Sequence, residues 1–173
     1  MLLDRYGYRV NESYSQYEFK SEGPNGLVIK KVLYQYMTTV DYVDQYNLFF
    51  GDVDQRTGKL SDLSVSNNKD RSKILATVAA TAVDFSDHFP GSRIYAQGST
   101  PTRTRVYQMG IAAHFAEINR YFLVKGKHIE KGWVFFRPGY NYLAFLATRK
   151  YILFLTKKKG GFYGFKFRTQ RRR

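Results

Sequence analysis

Residues 94–115, IYAQGSTPTRTRVYQMGIAAHF, pass from a short β-branched and aromatic run through a loop of small residues into apolar positions at helical spacing. Tyr107, Ile111, Phe115, Ile118 and Phe122 recur three and four residues apart, so one helix with a single apolar stripe is predicted to run past the end of this stretch. Ser99 or Thr100 supplies an N-cap and Pro101 suits the first helical position. The stripe of such a helix needs a surface to cover, which a sheet would supply.

Working outward, SNNKDRSKILATVAATAVDF at 66–85 predicts an earlier helix from about 71 to 87. Asp70 is its N-cap, Ile74, Leu75, Val78, Ala82 and Phe85 share one face, and FPG stops it. Before it, YSQYEFKS alternates Tyr17 and Phe19 with polar neighbours, GPNG at 23–26 is turn chemistry, and LVIKKVLYQYM and YNLFFGDV are rich in β-formers. Three or four antiparallel strands are expected there, closed by a polar reversal at DQRTGKLSD. After the second helix, WVFFR and YNYLAFLATRKYILFL read as strands joined across PGYN. The expected fold is α+β: a mainly antiparallel, twisted sheet of about five to seven strands with two amphipathic helices on one face. Residues 1–156 are expected to form a single domain and 157–173 a basic, aromatic C-terminal segment.

Composition agrees with one core. The chain has 173 residues, 43% hydrophobic and 17% aromatic, with 15 Tyr and 14 Phe. A globule of that length buries roughly 70% of its unfolded surface without needing staples. With no cysteine, disulfides, thiolate zinc sites and a cysteine nucleophile are excluded. Asp4, Arg5 and Glu12 interrupt any secretory apolar run, and the longest apolar stretch, YILFLT at 151–156, is far shorter than the ~20 residues a spanning helix needs. A cytoplasmic protein without a transmembrane segment is expected, and YILFLT is expected to be a buried strand.

The net charge of +14 is unevenly spread. Residues 149–173 carry 10 basic side chains and no acid, which leaves 18 basic and 14 acidic residues, net +4, for the first 148. In RKYILFLTKKKGGFYGFKFRTQRRR the cations Lys157, Lys158, Lys159, Lys166 and Arg168 interleave with Phe162, Tyr163, Phe165 and Phe167. That mixture suits single-stranded nucleic acid, with cations on phosphates and rings on bases. A final strand with rings inward and lysines in water accounts for the same letters, and an acidic membrane surface or partner protein would also attract the segment.

Three other features bear on chemistry. The loop and helix start at Ser99, Thr100, Arg103 and Arg105 offer unpaired N–H groups, the positive end of a helix dipole and two cations to an anion, although ordinary capping uses the same residues. Neither the Walker nor the dinucleotide glycine spacing is present, and residues two apart on a helix diverge, so Arg103 and Arg105 do not share a pocket unless the loop bends. Asp52 and Asp54 fall on one face of a strand where a divalent metal for phosphoryl transfer could sit, or they mark a polar hairpin tip. His88, His114 and His128 show no ligand spacing, and SDH at 86–88 is a sequence neighbourhood, whereas a catalytic triad is spatial.

NLFFGDVDQRTGKLSD, SNNKDRSKILATVAATAVDF and GSTPTRTRVYQMGI together resemble a small family of uncharacterised bacterial proteins, a domain of unknown function, over about 14–150. Its marks are a Phe-Gly-Asp hairpin (50–52), an Asn-Asn-x-Asp helix entry (67–70) followed by Lys-x-Leu-Ala-Thr-Val (73–78), and a Gly-Ser-Thr loop (98–100) leading to Arg-Thr-Arg and Tyr (103–107). The third place of the Asn-Asn-x-Asp turn often carries Gly in the family. Lys69 stands there in this chain and argues against a strict positive-φ requirement. The resemblance implies one compact domain and no established activity. The leading expectation is therefore a non-enzymatic nucleic-acid or polyanion-binding domain without cofactor or metal, acting through the C-terminal cations with Arg103 and Arg105 as auxiliaries. The alternatives are a metal-dependent phosphoryl-transfer or nuclease-like enzyme and a protein-interaction module.

Overall fold

Side-chain alternation organises the first third of the chain. In the computed structural model, which describes residues 4–54, 56–61, 68–157 and 163–168, with the backbone alone for 152–157 and 163–168, that third is an antiparallel meander. It comprises β1 (Tyr8–Val10), β2 (Gln16–Gly23), β3 (Gly26–Val40) and β4 (Val43–Val53). GPNG makes the β2–β3 turn as expected, with Gly23 and Gly26 paired. A short β5 (Leu60–Ser61) folds back on the end of β4. Then α1 (Arg71–His88) carries the chain over the sheet, so that β6 (Arg93–Ala96) returns parallel to β4. A parallel neighbour requires such a crossover. The remaining elements of the main sheet are α2 (Pro101–Ala113), α3 (Phe115–Tyr121), β7 (Phe122–His128), β8 (Gly132–Phe135) and β9 (Phe145–Arg149). Among the described residues the main sheet has nine strands, in the order β1-β2-β3-β4-β6-β9-β7-β8 with β5 on β4. β10 (Ile152–Lys157) and β11 (Tyr163–Arg168) pair antiparallel as a separate two-stranded sheet.

The α+β class with a mostly antiparallel sheet holds, and three of its details differ from expectation. The sheet is wider than five to seven strands. The second helix is two: the helical path breaks at His114 (φ −116°, ψ 20°), and Phe122 is the first residue of β7. A spacing of four is also two strand periods, so Ile118 and Phe122 fit either element. Pairing with Arg149 of β9 decides for the strand. Finally, Asp70 makes no side-chain cap to α1. Its Oδ2 accepts from the hydroxyls of Ser21 at 2.7 Å and Tyr6 at 2.9 Å, tying the helix entry to β2. Asn68 completes that join: its Nδ2 donates to Gly26 O and Ser21 Oγ, and its Oδ1 accepts from Asn25 N. The approach is so close that a Cβ on Gly23 would lie 2.2 Å from the Asn68 carbonyl.

Directly paired residues share a sheet face. Tyr17, Val32 and Phe50 form one row across β2, β3 and β4, and Ile94, Ala147 and Val124 another across β6, β9 and β7. These belong to the hydrophobic core that α1, α2 and α3 cover. At its centre the Phe85 ring of α1 is fully buried, stacked on Tyr34 with centroids 4.1 Å apart and edge-on to Tyr46 at 5.0 Å. The opposite face has a row of its own: Gln35, Asn47, Tyr95, Leu146, Lys125 and Phe135 line up across six strands.

Burial pushes the Tyr17 and Tyr34 phenols well above their ordinary value of 10.0. In the unfolded chain both rings ionise near pH 10, whereas folded they keep their protons. Their contribution is intact below that pH and is lost above it, at about 1.4 kcal/mol per pH unit for each ring. Urea midpoints are expected to fall steeply between pH 10 and 11.5, with tyrosinate absorbance from these two rings appearing only as the chain unfolds. A midpoint flat over that range would contradict their burial.

Lys69 takes φ +58°, so the left-handed turn exists here without glycine. An L-residue pays about 1–2 kcal/mol for that conformation, and glycine gives back about 0.5–1 kcal/mol through unfolded-state freedom. Lys69→Gly should therefore stabilise the protein by roughly 0.5–1 kcal/mol in urea denaturation. A loss of that size would refute the conformational assignment.

Candidate functional site

The turn between β7 and β8 brings cations and rings together. Lys125 is paired with Phe135, Lys127 with Trp133 and His128 with Gly132, so Lys125, Lys127, Trp133 and Phe135 share the sheet face opposite the helices. The Lys125 ammonium lies 5.5 Å from the Phe135 ring centroid, a cation–π distance. The backbone N–H groups of Glu130 and Lys131 donate to His128 Nδ1 at 3.2 and 3.4 Å. With Nδ1 accepting, the neutral imidazole carries its proton on Nε2.

The loop 136–144 forms the second wall, and its position is set by α2. Gln108, itself buried, accepts from Tyr142 N at 3.2 Å through Oε1 and donates to Tyr140 O at 2.5 Å through Nε2. The Tyr142 hydroxyl accepts from Arg137 N at 3.0 Å and donates to Arg137 O at 3.3 Å, closing the loop on itself. The Tyr142 ring lies flat on β7 at Gly126, where a Cβ would come within 2.3 Å of it. Phe136 anchors the loop below, packed on Phe115, Tyr142 and Phe145.

Between the hairpin and this loop is a pocket of about 420 Å³. Lys125, His128, Lys131 and Arg137 line it with the rings of Trp133, Phe135, Tyr140 and Tyr142, and among the described residues no carboxylate does. Trp133 and Phe135 remain substantially exposed, as does Tyr140. The adjoining open face continues the same chemistry. Tyr95 meets Trp133 edge-on at 6.2 Å, and over β6, β9, β7 and β8 this face adds Arg93 and Lys127 without an acid.

The residues singled out in the sequence are distributed differently. Thr100 caps α2, its hydroxyl accepting from Arg103 N at 3.3 Å, while Gly98 N donates to Thr104 Oγ1 at 3.1 Å. The loop thus satisfies part of its own backbone, and it needs glycine at 98, where a Cβ would lie 2.4 Å from Thr104 N. Ser99 and Thr100 are exposed and Arg103 is half-buried. Arg105 donates to Asn141 Oδ1, so it stands on the outer side of the loop that walls the pocket. Neither Arg103 nor Arg105 lines the pocket.

Asp52 and Asp54 are each engaged within the chain. Asp52 is buried and accepts a short hydrogen bond from the equally buried Lys30 across the β3–β4 pair. Asp54 accepts from Thr57 N at 3.0 Å and Arg56 N at 2.8 Å, bonds that hold its carboxyl below the ordinary value. Among the described residues no three His, Asp or Glu side chains come together in a way that could hold a metal. SDH also disperses: the Ser86 carbonyl accepts from Tyr151, Asp87 from Arg149, and His88 Nδ1 lies 2.8 Å from Asp84 O.

Of the basic residues beyond 148 that were expected to meet a polyanion, Arg149 is instead neutralised inside the fold. Its side chain is buried, its Nε donates to Asp87 at 3.2 Å, its guanidinium donates to Tyr121 O at 3.2 Å, and its face lies 5.2 Å from the Tyr121 ring centroid. Lys150 is exposed and donates to the Asn119 carbonyl and amide oxygens. The side chains of Lys157, Lys158, Lys159, Lys166 and Arg168 lie outside the described residues, as does the expected burial of YILFLT. No helix among the described residues is long and apolar enough to cross a membrane.

Residues 2–150 match the model of a family of unknown function, DUF6934. The chain belongs to that family. No curated protein and no solved structure matches it. The matched span includes the Phe-Gly-Asp, Asn-Asn-x-Asp and Gly-Ser-Thr motifs and every residue of the β7–β8 pocket. The three motifs serve an ion pair, a helix-entry join and a helix cap. The pocket had no sequence signature beyond the scattered basic and aromatic residues of KGKHIEKGWVFFRPGYNY.

Removing one partner of a buried ion pair strands the other charge, at a cost of about 3–5 kcal/mol. Asp52→Ala should destabilise the protein by that amount in chemical denaturation, and Lys30→Met with Asp52→Leu should recover most of it. A near-neutral Asp52→Ala would mean that the pair carries no structural weight.

Proposed function

We propose that this protein is a non-enzymatic polyanion-binding domain whose best-fitting partner is single-stranded nucleic acid. The observation that carries the reading is the pocket of cations and partly exposed rings, free of carboxylates, between the β7–β8 hairpin and loop 136–144. Phosphates meet fixed positive charge there, and bases meet aromatic faces at the pocket and along the open sheet face. The pocket volume of about 420 Å³, and a sheet face that no helix covers among the described residues, favour one strand laid across the sheet over a duplex groove reader. In this reading Arg105, bonded to Asn141 of the pocket-wall loop, adds a phosphate contact outside the pocket, with Arg103, Ser99 and Thr100 as auxiliaries. In this reading Lys157, Lys158, Lys159, Lys166 and Arg168 of the C-terminal segment, 157–173, contribute further positive charge to a domain of residues 1–156. A cytoplasmic setting accords with the cysteine-free composition.

The β3–β4 hairpin tip favours protein interaction as a second reading. Its turn residues Asp41 and Tyr42 both have positive φ, and Tyr36, Met37, Val40 and Tyr42 present apolar surface there.

Fluorescence anisotropy with a labelled single strand of about 12 nucleotides tests the main reading. Micromolar binding at low salt is expected, weakening steeply as salt rises. Trp133→Ala and the Lys131→Ala, Arg137→Ala pair should each reduce affinity about tenfold or more. Replacing Lys157, Lys158 and Lys159 by Gln isolates the C-terminal contribution. Absence of binding at low salt, or affinity untouched by the pocket variants, would refute the pocket as the site.

A further inference from the structure

On the helix side of the sheet, the core does not close between α1 and α2. A cavity of about 130 Å³ lies there. Its floor is Ile94, Val124 and Ala147 of the sheet, and its walls include Ala79 and Ala82 of α1 and Gly110 of α2. Protein interiors are packed as densely as organic crystals, with few voids larger than a water molecule. A space of this size between two well-formed helices is therefore an exception to the packing around it. Alanines of α1 and of the sheet leave the room, Leu75 of α1 closes against Gly110 of α2 at one side, and Phe85 and its neighbours fill the core tightly further along α1.

The wall chemistry says what the space can hold. Water needs two to four polar partners to be held in a cavity, and these aliphatic and aromatic walls offer few, whereas an apolar cavity of about 150 Å³ accepts a benzene-sized molecule. A carboxylate or ammonium group would be stranded here without a partner. His114 and Glu117 join the lining where the path of α2 breaks before α3. Ser72 of α1 is exposed there, and His114 Nε2 lies 3.2 Å from its hydroxyl, so this hydrogen bond between helices spans the solvent-facing end. We propose that the cavity is a binding site for a small, uncharged apolar molecule of about one aromatic ring, entering beside the His114–Ser72 contact. The site lies on the helix-covered face and is independent of the nucleic-acid reading, which concerns the other face and its edge.

Benzene and xenon are the probes. Thermal denaturation of the full chain in increasing benzene should show a saturable rise in melting temperature, with a dissociation constant of about 1 mM or tighter. Benzoate and benzylammonium should leave the melting temperature unchanged. Ala79→Leu, which fills the space, should keep or raise the melting temperature without ligand and weaken benzene binding at least tenfold. Should that variant fail to fold, Ala82→Val removes less of the space and should weaken binding by a smaller factor. Xenon NMR on the unaltered chain should show a saturable bound component. The proposal is overturned if neither benzene nor xenon binds saturably, if benzoate binds as well as benzene, or if a folded filling variant binds benzene as tightly as the unaltered protein.

Discussion

The stacking of Phe85 on Tyr34 is the contact on which the rest of the architecture depends. It sets α1 across β3 and β4, with Tyr46 and Phe89 closing around the ring. Fully burying a side chain of this size contributes about 1.5–3 kcal/mol, and the contact also sets direction. Because α1 lies over the meander, the chain returns where β6 can pair parallel with β4, and β9, β7 and β8 add outward from there. The three helices among the described residues then lie on one side, and among those residues the cations and rings of β6 to β8 that point the other way meet no helix.

Apolar packing brings the layers together, and buried side-chain amides set their register. Asn68 joins the entry of α1 to the β2–β3 turn, and Gln108 joins α2 to loop 136–144. Each bonds backbone groups of two residues at once, donating through the amide nitrogen and accepting through the oxygen, which makes the join specific as well as favourable. Both depend on close approach at glycine, Gly23 beneath Asn68 and Gly126 beneath Tyr142. The three sequence motifs therefore account for architecture, and the candidate binding surface is assembled from residues outside them. The two are connected through α2, because the helix that the Gly-Ser-Thr loop starts is the one that holds the pocket wall.

Much of the fold was legible in the residues. Alternation in β2, β3 and β4, turn chemistry at GPNG and the apolar stripe of α1 each follow from a local period matched to one buried face. FLVKGKH was not legible as a strand, since Phe122 sits at a spacing that a helix and a strand share, and only pairing with β9 separates the two. The role of Asp70 was hidden for a similar reason. A carboxylate before a helix reads as a cap, yet Ser21 and Tyr6 reach it from distant positions in the chain. Arg149 read as part of a solvated basic run because the acid that neutralises it, Asp87, is 62 residues earlier.

The sequence alone determined the α+β class, the first helix, the main turns, the absence of cysteine chemistry and a strong positive charge, because these depend on composition or on neighbours within a few residues. Only the tertiary structure decided which cations are spent internally, that α2 holds loop 136–144, and that Lys125, Lys131, Arg137 and Trp133 surround one pocket. Those outcomes depend on strand order and on contacts between distant segments, which no local period encodes.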